Sequence, residues 1–504
     1  MGVAAIPITV EVNVDNGIGF FLVGLPDSAV KESQQRIDTA LHIYGYKIPG
    51  RKIVVNMAPA DIRKEGSAYD LTLAIGILAA SEQIAGADML EDYYIMGELS
   101  LDGSLQPVRG ALPIALEARR HKKKGLILPI QNAREAAIVQ GIDILGATDI
   151  KQVIDFFDKK IPIEPTRIDV ANAFRDSLDH YEYDFADVKG QENIKRAMEI
   201  AAAGSHNVIL IGPPGSGKTM LAKRLPSILP PLCLEEALET TKIHSVAGKM
   251  SRYASIISTR PFRAPHHTIS DVALVGGGTH PQPGEISLAH NGVLFLDELP
   301  EFKRQVLEVM RQPLEERRVT ISRSKYSVEF PASFMFIAAM NPCPCGNYNH
   351  PTIRCTCKPN EVQNYLSKIS GPLMDRIDLH VEVVPVSHEE LASNKPTERS
   401  ADIRKRVVAA REIQKQRFEG CTGLFANAQM SSRMVREYCQ IDATGQMLLK
   451  QAMDRLGLSA RAYDRILKVA RTIADLDGSP NIEIGHLSEA INFRNLDRDN
   501  WGRR

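Results

Sequence analysis

No stretch of the 504-residue chain is a continuous apolar run of membrane length, and the opening residues Met1-Gly-Val-Ala-Ala-Ile6 lack the basic start, long apolar core and cleavage site of a secretory leader. These absences exclude a spanning helix and lead us to expect a cytoplasmic protein with no membrane partner. An excess of charge is missing too, since 61 Lys and Arg balance 61 Asp and Glu. No global field therefore draws the protein onto nucleic acid, and any such contact depends on local basic clusters. Cysteine is sparse, seven in all, and four of them crowd between positions 343 and 357. Cys233, Cys421 and Cys439 stand alone and read as packing residues. The length suggests about three domains, each able to bury a core.

What is present starts with the apolar run Val208-Ile-Leu-Ile211, followed directly by Gly212-Pro213-Pro214-Gly215-Ser216-Gly217-Lys218-Thr219. This is a complete G-x-x-x-x-G-K-[ST] loop in its required strand-to-helix setting. Its glycines let backbone N–H groups converge on phosphates, Lys218 neutralises charge on the outer phosphates, and Thr219 offers a hydroxyl to Mg²⁺. ATP with Mg²⁺ is the implied cofactor pair. Downstream, Gly292-Val-Leu-Phe-Leu-Asp297-Glu298 ends an apolar strand in two carboxylates. Asp297 suits a Mg²⁺ ligand and Glu298 a general base acting on water. A lone acid pair is often just a solvated strand end, so its weight comes from the phosphate loop. A third apolar strand, Phe334-Met-Phe-Ile-Ala-Ala-Met-Asn341, ends in an amide suited to orienting water against the outermost phosphate.

These pieces occur in a fixed order: the phosphate loop, Arg260-Pro-Phe-Arg-Ala-Pro-His-His-Thr268, Asp297-Glu298, Asn341, Met374-Asp-Arg376 and Ser459-Ala-Arg461. Together they resemble the magnesium-chelatase-like AAA+ ATPases, in particular the bacterial YifB/ComM family, over essentially the whole chain. The resemblance implies that Arg376 is an arginine finger acting on a neighbouring subunit's nucleotide and that Arg461 is a sensor arginine acting within its own subunit. It implies a homo-oligomeric, hexameric ring. It also relates the segment around Arg263–Thr268 to the helix-2 insert of MCM-type helicases, and residues 318–329 to their pre-sensor β-hairpin.

The implied fold class is α/β with three parts. Residues 1–157 form an N-terminal Lon-protease-like (S5-type) α+β domain, 158–184 a Pro-bearing linker, 185–395 a central AAA+ P-loop NTPase domain, and 396–504 a C-terminal helical lid. Strands are expected at 8–14 and 52–57, and helices at 71–84, 402–418 and 460–476. The Lon-like resemblance rests on Ile95-Met-Gly-Glu-Leu-Ser-Leu-Asp-Gly-Ser-Leu-Gln-Pro-Val-Arg-Gly110 and Gly125-Leu-Ile-Leu-Pro-Ile130. Its nucleophile position falls at Ala68 and its lysine position at Leu112, so no protease activity is expected.

In a reducing compartment, Cys343-Pro-Cys345 and Cys355-Thr-Cys357 read as a thiolate metal site, because four soft ligands close tetrahedrally on Zn²⁺. Structural or redox thiols are the alternative, and His350 inside the loop could replace one ligand. Arg317, Arg318, Arg323 and Lys325 crowd an expected hairpin. In a ring they would present a basic collar to DNA, single-stranded or branched; alone they are the charged edge that sheets commonly carry. The resemblance favours a DNA translocase of the branch-migration type acting on recombination intermediates. The alternatives are a magnesium-chelatase motor subunit or a protein-remodelling ATPase, since the ATPase residues are common to all three.

Overall fold

The computed structural model describes residues 2–170, 174, 181–250, 255–278, 281–323, 326–348, 350, 352–386, 397–421 and 423–494. They form two compact units. One comprises residues 1–177 and 234–258, the other 178–233 and 259–504.

In the first unit, β1 (Thr9–Asp15), β2 (Gly19–Val23) and β3 (Lys52–Ala58) make a sheet in the order β1-β3-β2, with β1 antiparallel and β2 parallel to β3. Strict alternation along β3 turns Ile53, Val55 and Met57 into the core. The helix Asp70–Ala80 is apolar on most of its surface and covers this sheet. Its Gly76 lies so close that a Cβ would meet Val12 Cγ2 at 2.9 Å, which is why a side chain is missing there. Next come β4 (Tyr93–Ile95), the short hairpin β5 (Glu98–Leu99) and β6 (Leu105–Gln106), β7 (Gly125–Pro129) and β8 (Asp143–Ala147). β4, β7 and β8 pair in parallel, and β7 is buried along its whole length, as a strand covered on both faces must be. Ala68 sits in a 3₁₀ turn and its carbonyl accepts from Gly97 N–H, while Leu112 is fully buried. Neither supplies a nucleophile or a base.

Residues 234–258, expected within the ATPase domain, pack instead with the first unit. The helix Leu234–Val246 lies on the helix Ala111–Arg120. Ser245 anchors it: its carbonyl accepts from Gly110 N–H at 3.1 Å and its hydroxyl donates to the buried Glu135, which also accepts from Leu112 N–H at 3.0 Å. Burial pushes the Glu135 carboxyl upward against these hydrogen bonds.

The second unit is built on a parallel sheet of β9 (Val208–Ile211), β10 (Phe262–Arg263), β13 (Val293–Leu296), β16 (Met335–Met340) and β17 (Leu379–Glu382), in the order β10-β13-β16-β9-β17. β11 (Gly276–Gly277) pairs with β12 (Gln282–Pro283), and β14 (Arg318–Arg323) with β15 (Tyr326–Pro331). β9, β13 and β16 are buried at every position. The helices Ser400–Arg417, Ser432–Tyr438, Ala443–Leu456, Ala460–Leu476 and Ile484–Asn492 share one hydrophobic cluster with this sheet, so the C-terminal helices are not a separate core. Side chains of Ser431, Asp442 and Ser459 cap three of them.

Fully buried Asp475 joins these helices. It accepts from Arg417 at 2.5 and 2.7 Å, from Arg471 at 3.1 Å and from Asn427 at 2.7 Å. Asp475→Ala leaves two largely buried guanidinium groups without their counter-charge and is expected to cost about 3–5 kcal/mol. Chemical denaturation of the variant and the parent measures this, and an unchanged midpoint would refute it.

Candidate active site

β9 ends at Ile211, and the chain then turns through Gly212–Gly217 before the helix Lys218–Arg224. Gly215 and Gly217 hold φ of 76° and 89°, a region that side chains avoid. At Gly212 a Cβ would meet the Val383 carbonyl at 2.2 Å, so the loop hugs the end of the sheet. Lys218 donates from Nζ to the carbonyls of Gly212 and Pro213, each at 2.8 Å, and to Asn341 Oδ1 at 3.2 Å. Burial pushes its ammonium pKa down, and the carboxylates of Asp297 and Glu298 oppose that shift.

Thr219 donates its hydroxyl to Asp297 Oδ2 at 2.5 Å. The two oxygens form the hard donor pair that Mg²⁺ prefers, so Thr219 and Asp297 fit the ion and Gly212–Lys218 fit the phosphates. Glu298 follows with φ 52°, an uncommon conformation for a residue with a side chain, and it starts a 3₁₀ turn. Its carboxylate is 57% exposed and lies 3.4 Å from His267 Nδ1. His267 in turn packs against His266, ring centres 4.1 Å apart. Gln191 braces the phosphate loop by donating to the Ser216 carbonyl at 2.9 Å. The His267 contact was not foreseen from sequence; the paired histidines at 266–267 were its only signal.

Three family profiles match the chain: "Magnesium chelatase, subunit ChlI" over residues 184–391, "Subunit ChlI of Mg-chelatase" over 10–132, and "Magnesium chelatase, subunit ChlI C-terminal" over 397–494. The chain is 45% identical to YifB of Escherichia coli and 45% identical to competence protein ComM of Haemophilus influenzae, in each case over 99% of this chain and 96% of the relative. Lon protease 2 of Bacillus subtilis is 30% identical over 34% of this chain and 35% of its own length. The chain belongs to the YifB/ComM family of magnesium-chelatase-like AAA+ proteins.

For a family of AAA+ ATPases, the convergence of Lys218, Thr219, Asp297 and Asn341 on one sheet edge is the expected chemistry. No hydrogen bond or ion pair among the described residues connects Arg376 or Arg461 to that group. Arg376 is 9% exposed, donates to the Pro372 carbonyl at 2.6 Å and pairs with Glu315. Arg461, at the start of the helix Ala460–Leu476, is 65% exposed and lies 3.8 Å from Asp375 Oδ2. Arg263, in the segment likened to a helix-2 insert, makes a bidentate pair with Glu285 at 2.6 and 2.7 Å.

The basic collar needs correction at Arg317. This residue precedes the hairpin with φ 56° and is partly buried beside Asp378; desolvation lowers its pKa to about 10. Arg317 stands one position before the first hairpin strand rather than on it. Arg318 is exposed on β14 but lies 3.5 Å from Glu316 and 3.6 Å from Glu329, which offset its charge. Arg323 ends β14, and Lys325 lies outside the described residues.

The four cysteines come together. Sγ of Cys343 lies 3.4 Å from Cys345 and 3.7 Å from Cys355, Cys345 lies 3.5 Å from Cys355, and Cys357 Sγ accepts from Cys345 N–H at 3.3 Å. His350 is not among them; its Nδ1 accepts from the N–H groups of Thr352 and Ile353 at 3.2 and 3.0 Å. Among the described residues no helix is long and apolar enough to cross a membrane.

Two variants separate binding from chemistry at this site. Lys218→Ala removes charge-assisted contacts and should weaken ATP affinity about 10- to 100-fold. Glu298→Gln should leave affinity near the parent value and lower turnover about 10²- to 10⁴-fold. Titration of a fluorescent ATP analogue and phosphate release are the two readouts. A Gln variant that turned over normally would remove Glu298 from the role of base.

Proposed function

We propose that the protein is a ring-forming motor that hydrolyses ATP to move along DNA, acting on branched or single-stranded recombination intermediates. The observation that carries this reading is an assembled ATP site with Arg376 held outside it. On this reading Arg376, which has no partner among the described residues of its own subunit's site, completes a neighbour's. In such a ring each nucleotide has Lys218, Thr219, Asp297, Glu298 and Asn341 from one subunit and Arg376 from the next, with Arg461 acting within its own subunit. Mg²⁺ held by Thr219 and Asp297 would supply Lewis-acid neutralisation of the phosphates. Glu298 takes a proton from water, His267 biases the orientation of its carboxylate, and Asn341 positions the water. The relative named for competence, ComM, supports DNA as the polymer. On this reading Arg318, Arg323 and Lys325 are the groups that meet phosphates, with Arg318 leaving Glu316 and Glu329 to do so.

The second reading is a chelatase motor subunit, favoured by the descriptions of all three matching profiles. DNA separates the two. On the translocase reading, DNA stimulates ATP turnover, and binding weakens steeply with salt. Neutralising Arg318, Arg323 and Lys325 should reduce the log–log salt slope by roughly 0.7–0.9 per lost contact and leave turnover without DNA unchanged. Turnover indifferent to single-stranded, duplex and branched DNA at low salt would transfer the function to the chelatase reading.

Assembly has its own test. Turnover per subunit should rise with protein concentration. Mixing Arg376→Ala subunits, which keep their phosphate loop, with Lys218→Ala subunits should restore hydrolysis at mixed interfaces. Full activity in a strictly monomeric sample would defeat the shared site.

A further inference from the structure

Between β16, which ends at Met340, and the helix Pro359–Leu366, no described residue is in a helix or strand. The core does not hold this loop: Pro342, Cys343 and Gly346 are buried, whereas residues 352–354, 356 and 358 are exposed. Ordering backbone has an entropic cost at every residue that so few buried groups do not offset. The four thiols offer the missing term. All four Sγ atoms lie within 4.8 Å of one another and all are free cysteines. Ligands about 2.3 Å from a tetrahedral Zn²⁺ stand about 3.8 Å apart, close to the 3.4–3.7 Å separations seen here. Binding a structural zinc contributes folding free energy outright to a segment that the core does not order.

The same loop touches the nucleotide site at three places. Asn341, which contacts Lys218, is two residues from Cys343. Gly346, at φ 80°, packs against the phosphate loop so tightly that a Cβ would meet Pro214 Cδ at 2.5 Å. Pro344 lines a cavity of about 500 Å³ together with Glu298, Asn341 and Tyr365. From the helix that follows the loop, Tyr365 presents its hydroxyl to the Asn341 backbone N–H.

The geometry points to one Zn²⁺ held by Cys343, Cys345, Cys355 and Cys357 as a tetrathiolate that fixes one wall of the ATP site, so that metal occupancy sets nucleotide affinity. The inference deepens the ATP-site reading and requires no particular polymer. The metal does no chemistry in hydrolysis. It holds Asn341 where Lys218 meets it and Gly346 against Pro214 of the phosphate loop.

Metal content and nucleotide affinity test it together. Protein purified under reducing conditions should carry about one zinc per chain by elemental analysis. A high-affinity chelator should remove the metal, weaken binding of a fluorescent ATP analogue about 5- to 50-fold, and added Zn²⁺ should restore it. Cys355→Ser/Cys357→Ser should lose zinc and affinity together, and Cys421→Ser should keep both. Gly346→Val should retain zinc yet bind the analogue more weakly, because the clash with Pro214 breaks the coupling and not the metal site. Circular dichroism checks that each variant is folded. Wild-type protein that holds zinc but binds no ATP analogue would sink the ATP-site reading instead. A chain that takes up no zinc, or a stripped chain that binds the analogue as the loaded one does, overturns the proposal.

Discussion

Parallel pairing of β9 with β16 sets Ile211 opposite Met340, and pairing of β13 with β16 sets Leu296 opposite Ala338. The catalytic arrangement depends on this register. Gly212, Asp297 and Asn341 each follow the last residue of a buried strand, so all three emerge at one edge of the sheet. A slip of one residue would displace Gly212, Asp297 or Asn341 from the others and repack strands that are buried at every position. The sheet therefore converts segments far apart in sequence into a set of contacts between 2.5 and 3.2 Å.

Charge at that edge is balanced in a way that favours a magnesium nucleotide. The Lys218 ammonium is disfavoured by burial and supported by Asp297 and Glu298. Triphosphate alone would relieve the lysine and aggravate the carboxylates. A divalent cation between Thr219, Asp297 and the phosphates relieves both, which is the physical reason for a hydroxyl and a carboxylate on neighbouring elements.

The nucleotide site was legible because its signals are local: an apolar strand followed at once by the chemistry. Helix 460–476 was read at its observed limits, Ala460–Leu476, because Ser459 caps it and its apolar period is clear. What escaped depends on contacts between distant segments. Packing of the helix Leu234–Val246 on the helix Ala111–Arg120 and the anchoring of Ser245 by Gly110 and Glu135 assign it to the first unit, and no local pattern encodes either. Arg317 looked like its neighbours in a basic run, yet it stands before the hairpin strand with a left-handed backbone and lies beside Asp378. The four cysteines were legible as a cluster; that Gly346 of the same loop abuts Pro214 was not, because no local pattern encodes it.

If Arg376 is a neighbour's finger, as proposed, it must first leave its pair with Glu315. Its partner Glu315 is 64% exposed, so water screens one side of the pair. Pairs of this kind contribute on the order of 1 kcal/mol or less. On the ring reading, a neighbour's triphosphate offers several charges to the guanidinium where Glu315 offers one, so exchange runs toward the nucleotide. The same pair would shield Arg376 in a subunit without a neighbour. On that reading Glu315 holds one terminal nitrogen of the guanidinium while the buried Nε has no hydrogen-bond partner among the described residues, and a weak pair releases the arginine more readily than a strong one.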